Sequence, residues 1–150
     1  MRFILFDRII DSAPGRHATG IKNVSAQEEF LIGHYARRPV MPAPLIIESL
    51  AQVGGWAVTV ATDYACLAVM VMVKDITVSG SAVPGDQIEL HAAIQTVNDY
   101  GAVVGGTAHV GGKGILAVGS ITYVLYAVPP GDRAAVRRQY EYYTTAGRRG

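Results

Sequence analysis

Residues 44–62 read PLIIESLAQVGGWAVTVAT, a stretch that leaves almost no polar stripe at helical spacing. A helix that is apolar on nearly all sides has to be enclosed by the rest of the protein. Pro44 suits the first helical turn, where backbone N–H groups have no intrahelical partner. We therefore expect a buried helix over residues 44–62.

The same stretch is about as long as a membrane span. It carries Glu48 and Gln52, however, and two adjacent glycines, Gly54 and Gly55. A carboxylate inside a membrane helix costs roughly 3 kcal/mol. We expect this helix to lie in a protein core and expect no membrane partner.

Apolar runs rich in β-branched and aromatic residues surround the helix, and turn sequences such as Pro14-Gly15 and Pro84-Gly85 separate them. In one run, Ile88 and Leu90 begin an alternation of apolar and polar residues, which is typical of a strand with one buried face. Strands are expected over residues 3–12, 17–24, 67–78, 87–98, 102–110 and 115–128. The sequence thus predicts an α+β domain in which an antiparallel sheet wraps one helix.

The composition suits one compact domain, since the chain has 150 residues, 50% of them hydrophobic and 17% charged. Its formal net charge of +1 is too small to favour a nucleic-acid binder. Asp7 and Arg8 interrupt the N-terminal apolar residues before a signal-peptide core is complete. We expect a cytoplasmic protein.

Neither a disulfide nor a metal is expected. Cys66 is the single cysteine, so one chain can build neither an internal disulfide nor a cysteine-based zinc site, and a reducing compartment fits best. The histidines at 17, 91 and 109 lie on expected strands without metal-ligand spacing.

Two further segments have local signals. Ser25 and Glu28 have capping-box spacing, which predicts a short helix over residues 25–32. Residues 132–150 carry five Arg and two carboxylates, a net charge of +3. We expect one domain over residues 1–130 and a basic, partly helical extension over residues 131–150 with a frayed end.

Residues 33–52, GHYARRPVMPAPLIIESLAQ, hold the side chains best suited to chemistry. His34 precedes a loop that three prolines stiffen, because each fixes its own φ and restricts the residue before it. Glu48 lies one turn inside the apolar helix, where a carboxylate needs a partner or a raised pKa. Gln52 is four residues further on, on the same face, and can hydrogen-bond to Glu48.

A His with an ordinary pKa near 6.5 and a desolvated carboxyl group can move protons at neutral pH. His34 and Glu48 are therefore candidates for an acid–base pair. The residues alone leave a structural alternative open, in which His34 anchors a loop and Glu48 makes one buried hydrogen bond.

The run from His34 to Gln52 resembles, without a gap, the signature H-F-P-x-x-P-V-M-P-G-V-L-x-x-E-A-x-A-Q of the β-hydroxyacyl acyl-carrier-protein dehydratases of fatty-acid synthesis. Weaker resemblance extends through FILFDR at 3–8, GIKNV at 20–24 and VPGD at 83–86. The resemblance implies a hotdog fold, a long central helix wrapped by a curved antiparallel sheet, over residues 1–130. It also implies a hydro-lyase that uses no cofactor and no metal.

The resemblance assigns a role to each residue of the motif. His34 would take the α proton of a 3-hydroxyacyl thioester, and Glu48 of a partner subunit would protonate the departing hydroxyl, giving a trans-2-enoyl thioester. The Val40 carbonyl would orient His34, and the N–H of Ala43 would stabilise the enolate. Ala43 stands where the family has Gly, so a requirement for positive φ would cost roughly 1 kcal/mol. Pro44 removes one donor from the same turn.

The resemblance also suggests partners. Tyr35 and Trp56 are candidates for the wall of an acyl tunnel. The substrate would be carried by an acyl carrier protein or coenzyme A, and the protein would be a homodimer with joined sheets or a trimer of dimers.

Two alternative functions remain. One is a non-catalytic acyl-binding or assembly subunit, because Ala43 and Pro44 depart from the family pattern. The other is a hotdog thioesterase in which the helix carboxylate activates water.

Overall fold

The structure is a computed structural model that describes residues 3–32 and 37–145. These residues form six strands, two α-helices and one 3₁₀ turn. In chain order they are β1 (Arg8–Ala13), β2 (His17–Asn23), the 3₁₀ turn (Glu29–Leu31), α1 (Ala43–Ala61), β3 (Cys66–Val78), β4 (Gln87–Val97), β5 (Gly101–Val110), β6 (Lys113–Ala127) and α2 (Arg133–Thr145).

The strands form one sheet in the order β1-β2-β4-β5-β6-β3, and every neighbouring pair is antiparallel. Strands β4, β5 and β6 follow one another directly, whereas α1 separates β2 from β3 in sequence. The chain therefore crosses the sheet through α1 and places β3 at the edge opposite β1.

The core lies between α1 and the sheet. Leu50, Val53 and Val58 of α1 are fully buried, as are Ile88 and Leu90 of β4. Burial of each such side chain contributes about 2 kcal/mol. This packing confirms the expected central helix, which begins and ends one residue earlier than the pattern predicts. By length and composition α1 could cross a membrane, but 56% of its most apolar window is buried within the protein.

The first expected strand begins later than predicted. Residues 3–6 were expected to pair in the sheet, but β1 starts at Arg8. The side chain of Gln52 takes the place of a neighbouring strand, since it accepts a hydrogen bond from the N–H of Leu5 and donates one to the carbonyl of Phe3. The sheet register resumes where the N–H of Asp7 bonds to the Ile21 carbonyl at 2.7 Å.

The capping box predicted at Ser25 and Glu28 is wrong. The Glu28 carboxylate pairs with the buried ammonium of Lys22, while Ser25 Oγ accepts from the N–H of Gln27 at 3.1 Å. Only the 3₁₀ turn Glu29–Leu31 is helical in this segment. A buried Lys22 needs a carboxylate more than the helix terminus does, because an unpaired buried charge is very costly.

Within the predicted extension, Arg133–Thr145 form α2, which buries Tyr140 and Tyr143. The last residues of the extension, 146–150, for which a frayed end is predicted, lie outside the described residues.

Candidate active site

Glu48 lies half-buried on α1, one and a half turns after the helix begins. Its Oε1 accepts a hydrogen bond from Nε2 of Gln52 at 3.0 Å. The partner that the four-residue spacing predicts is therefore present.

Gln52 is itself fixed by the N-terminal segment. Its Oε1 accepts from the Leu5 N–H at 2.8 Å, and its Nε2 donates to the Phe3 carbonyl at 2.9 Å as well as to Glu48. These contacts require the amide oxygen on the Leu5 side and the amide nitrogen on the Glu48 side. Gln52 therefore presents a donor to the carboxylate and orients it.

Glu48 lines a cavity of about 380 Å³. One face of α1, from Glu48 to Thr59, forms one wall, residues 67–70 of β3 form another, and Ile4 and Phe6 close a third side. Most of these side chains are apolar. Such a cavity suits an acyl chain whose reactive end is near Glu48.

Tyr123 of β6 forms part of the same cavity and was not anticipated from the sequence. It is buried, and its hydroxyl donates to the Ala51 carbonyl at 2.7 Å. Burial, and to a smaller degree the negative charge of Glu48, raises the pKa of Tyr123 above its ordinary value. The phenol is therefore a neutral hydrogen-bond donor that binds the backbone of α1 close to Glu48.

Gly54 makes room for Tyr123. A Cβ on Gly54 would lie 2.6 Å from the Tyr123 hydroxyl oxygen and 3.2 Å from Val104 Cγ1. A glycine inside a helix costs about 1 kcal/mol relative to alanine, so the Gly54-Gly55 pair was the available signal that another group approaches closely.

The helix α1 begins at Ala43, so the N–H of Ala43 is among the first-turn groups without an intrahelical acceptor. Ala43 is not among the described residues with positive φ. The strain considered for an alanine at this position therefore does not arise. Just before the helix, the buried Met41 donates its N–H to the Ala82 carbonyl at 2.8 Å, which anchors the proline loop.

The other predicted site residues divide into two groups. Val40 and Trp56 are half-buried, and Trp56 lines the cavity. His34 and Tyr35 lie outside the described residues, so the roles predicted for both, and the pairing of His34 with Glu48 or Val40, stay predictions.

The segment that precedes His34 contacts β2 and lies near the start of α1. Lys22 of β2 is buried, and its ammonium pairs with Glu28, which immediately precedes the 3₁₀ turn. Phe30 of that turn and Leu45 of α1 line one shared cavity. The segment up to residue 32 is thus tied to β2 by this ion pair and shares a cavity with the first turn of α1.

Within residues 3–32 and 37–145, no group of three or more His, Cys, Asp and Glu side chains is arranged to hold a metal ion. His17 contacts Asp11, and His91 contacts Glu89 and Thr19, so these imidazoles have protein partners.

Comparison with known proteins adds to this geometry. A family model described as a FabA-like domain matches residues 1–118. The chain belongs to the FabA-like dehydratase family. It is 39% identical over 110 residues to the 3-hydroxyacyl-[acyl-carrier-protein] dehydratase FabZ of Pelotomaculum thermopropionicum, covering 73% of this chain and 79% of that protein. It is also 39% identical over 102 residues to the FabZ of Anoxybacillus flavithermus, covering 67% and 70%.

Solved structures place this FabA-like protein in the hotdog fold. The dehydratase heterocomplex ApeI:P of Xenorhabdus doucetiae matches with a TM-score of 0.66 at 12% identity, covering 90% of each chain. A Streptococcus mutans protein bound to acetyl coenzyme A matches with a TM-score of 0.63 at 16% identity, covering 80% of this chain and 88% of that one. The six-stranded antiparallel sheet around α1 confirms the fold implied by the motif.

Proposed function

We propose that the protein dehydrates a 3-hydroxyacyl thioester to the trans-2-enoyl thioester, with His34 as base and Glu48 as acid. At family level the activity is that of a hydro-lyase, a 3-hydroxyacyl thioester dehydratase. The observation that carries the residue-level proposal is the half-buried carboxyl group of Glu48, oriented by Gln52 in a largely apolar cavity.

The reaction begins when His34 removes the α proton and the C–H electron pair moves toward the thioester carbonyl. The C–O bond at the β carbon then breaks, its electrons leave with the hydroxyl oxygen, and Glu48 supplies the proton that makes this group water. Proton exchange with solvent returns His34 and Glu48 to their starting states. General acid–base catalysis of this kind contributes typically 10²- to 10⁴-fold in rate.

The developing enolate needs a donor at the thioester oxygen. The N–H of Ala43 at the start of α1 is available in the first helical turn, where the helix dipole also favours negative charge. The helical backbone of Ala43 supports this role, because the methyl group adds no strain there. The unstrained backbone at Ala43 also weakens the argument that this substitution makes the protein a non-catalytic acyl-binding subunit.

A second copy of the chain would complete the site. Strand β3 is an edge strand of the described sheet, and it borders the Glu48 cavity through Leu67 and Val69. Its exposed face carries six large apolar side chains, namely Leu67, Val69, Val71, Met72, Ile76 and Val78. Joining two β3 edges would give the expected homodimer, for which we propose that His34 of one subunit acts together with Glu48 of the other.

The acyl group would arrive as a thioester of an acyl carrier protein or coenzyme A. Arg37, Arg38 and Lys74 are exposed and can face an acidic carrier. Cytoplasmic location belongs to the same proposal, and the free thiol of Cys66 suits a reducing compartment. Parallel assays with carrier-linked and coenzyme A substrates identify the carrier.

The test is turnover of 3-hydroxyacyl thioesters, followed by formation of the enoyl product. His34→Ala and Glu48→Gln should each lower kcat by about 10²-fold or more. Asp99→Asn, a carboxylate change in an exposed hairpin turn, serves as the matched control and should leave kcat unchanged. Full turnover by His34→Ala rejects the mechanism, and release of free thiol without enoyl product identifies a thioesterase.

Mixing His34→Ala subunits with Glu48→Ala subunits tests whether the site is shared. Random pairing leaves roughly a quarter of the sites with both groups intact if the pair forms between subunits. Activity that stays at the level of the separate variants places both groups in one subunit.

A further inference from the structure

Two tyrosines on one face of α2 pack against Phe6 and Trp56, which line the Glu48 cavity. The Tyr143 ring lies 4.9 Å from the Phe6 ring and 5.7 Å from the Trp56 ring. The Tyr140 ring lies 5.7 Å from Trp56, and its hydroxyl is 2.8 Å from Ser12 Oγ. Tyr140 and Tyr143 are both buried, so α2 belongs to the core of the described structure.

The Glu48 cavity follows α1 toward this contact. Its α1 residues are 48, 51, 52, 55, 56 and 59, which share one helical face that extends about 16 Å at 1.5 Å per residue. Strand β3 lies beside this face, since a Cβ on Gly55 would lie 3.6 Å from the Ala68 carbonyl oxygen. Beside Trp56, which follows Glu48 by eight residues on α1, α2 contributes Gln139 and Tyr143 to the cavity wall.

We propose that α2 closes the remote end of the cavity and that Tyr143, with Gln139, limits the length of the acyl chain that the enzyme accepts. This inference rests on the proposed function, because it places the acyl chain in the Glu48 cavity. The family match ends at residue 118. The length limit would therefore come from an element that lies beyond the matched part of the chain.

An ion pair and a cation–π contact at Arg137 join α2 to the residues that follow α1. Arg137 Nη2 lies 2.9 Å from Oδ1 of Asp63, two residues after α1 ends, and its guanidinium is 4.8 Å from the centre of the Tyr64 ring. The Tyr143 hydroxyl accepts from Gln139 Nε2 at 3.4 Å. A packed aromatic wall yields little to an added methylene, because overpacking a core is itself destabilising.

The prediction concerns the ratio of long-chain to short-chain activity. Each methylene that gains burial is worth about fourfold in binding. Truncating the Tyr143 side chain to a methyl group opens space for more than one methylene of the acyl chain. Tyr143→Ala should therefore raise the ratio of kcat/KM for 3-hydroxydodecanoyl-pantetheine to that for 3-hydroxybutyryl-pantetheine by about tenfold or more.

Two further variants make the test decisive. Gln139 is exposed, so Gln139→Ala does not remove a core side chain, and it should shift the ratio in the same direction by a smaller factor. Tyr142→Ala is the matched control, because Tyr142 is the neighbouring tyrosine on α2, is 66% exposed and does not line the cavity. It should leave the ratio unchanged.

A binding measurement separates this inference from the proposed function. Dissociation constants for butyryl-, octanoyl- and dodecanoyl-pantetheine, measured by calorimetry, report the length limit without turnover. An unchanged length profile in Tyr143→Ala overturns the inference, as does an unchanged profile in Gln139→Ala if Tyr143→Ala does not fold. Absence of dehydration by the unaltered protein rejects the proposed function, while the binding profile still decides the length limit.

Discussion

The buried phenol of Tyr123 offers a quantitative test of the packing beside Glu48. Tyr123→Phe removes one hydroxyl and keeps the ring. The Ala51 carbonyl loses the 2.7 Å hydrogen bond but keeps its helical partner. Loss of one such bond costs about 1 kcal/mol, so near pH 8 the variant should be less stable than the original protein by that amount.

The sign of this difference should change at alkaline pH. The pKa of Tyr123 in the folded protein lies above the ordinary value of 10.0, chiefly because of burial. Above pH 10 the unfolded chain loses this proton while the folded protein keeps it, so stability falls by about 1.4 kcal/mol for each pH unit. The contribution is complete below pH 10 and is lost as the pH rises toward the folded-state pKa.

The Phe variant lacks this proton and avoids that loss. At about pH 11 the loss of about 1.4 kcal/mol in the original protein exceeds the contribution of about 1 kcal/mol from the hydroxyl, so the two stability curves cross. Urea unfolding of both proteins at several pH values from 8 to 11 measures the difference. Tyr64, whose pKa burial also raises, is present in both proteins and cancels. A stability difference that stays constant with pH refutes the reasoning.

Two further predictions concern packing and charge. Gly54→Ala should lower the free energy of unfolding by about 1–3 kcal/mol, because its Cβ would lie 2.6 Å from the Tyr123 hydroxyl oxygen. Gly131→Ala is the control, because its Cβ would meet nothing within 4 Å. Thermal denaturation compares the two variants, and equal melting temperatures would contradict the close approach at Gly54. Glu28→Gln should cost about 3 kcal/mol in urea unfolding, since it leaves the Lys22 ammonium buried beside a neutral amide. A cost below about 0.5 kcal/mol would show that the pair behaves as a surface salt bridge.

Most of the fold could be predicted because its signals are local. The apolar run that became α1 and the alternation that became β4 each reflect a periodicity within one element. The failures occurred where a side chain from outside the element replaced the partner that the local pattern predicted. The Gln52 side chain bonds to the backbone of residues 3–5, where pairing with a strand was predicted. Lys22 pairs with the Glu28 carboxylate, which was predicted to cap a helix.

In the candidate site, too, contacts within one element could be predicted and contacts between elements could not. The four-residue spacing was sufficient to predict the hydrogen bond between Glu48 and Gln52, because both residues lie on one helical face. Nothing local to β6 indicated that Tyr123 would reach the Ala51 carbonyl, 72 positions away in sequence. The glycine pair in α1 marked a close approach but not the residue that makes it.

This division explains why the reaction class could be inferred from the sequence and the acyl length could not. The dehydratase signature from His34 to Gln52 lies within a few residues, so the resemblance of one short motif was sufficient to imply the reaction. The depth of the cavity depends on Phe6, residues 67–70, Tyr123 and Tyr143, which only the folded chain brings together. A change in α2 can therefore alter which acyl chain fits while leaving Glu48 and Gln52 in place.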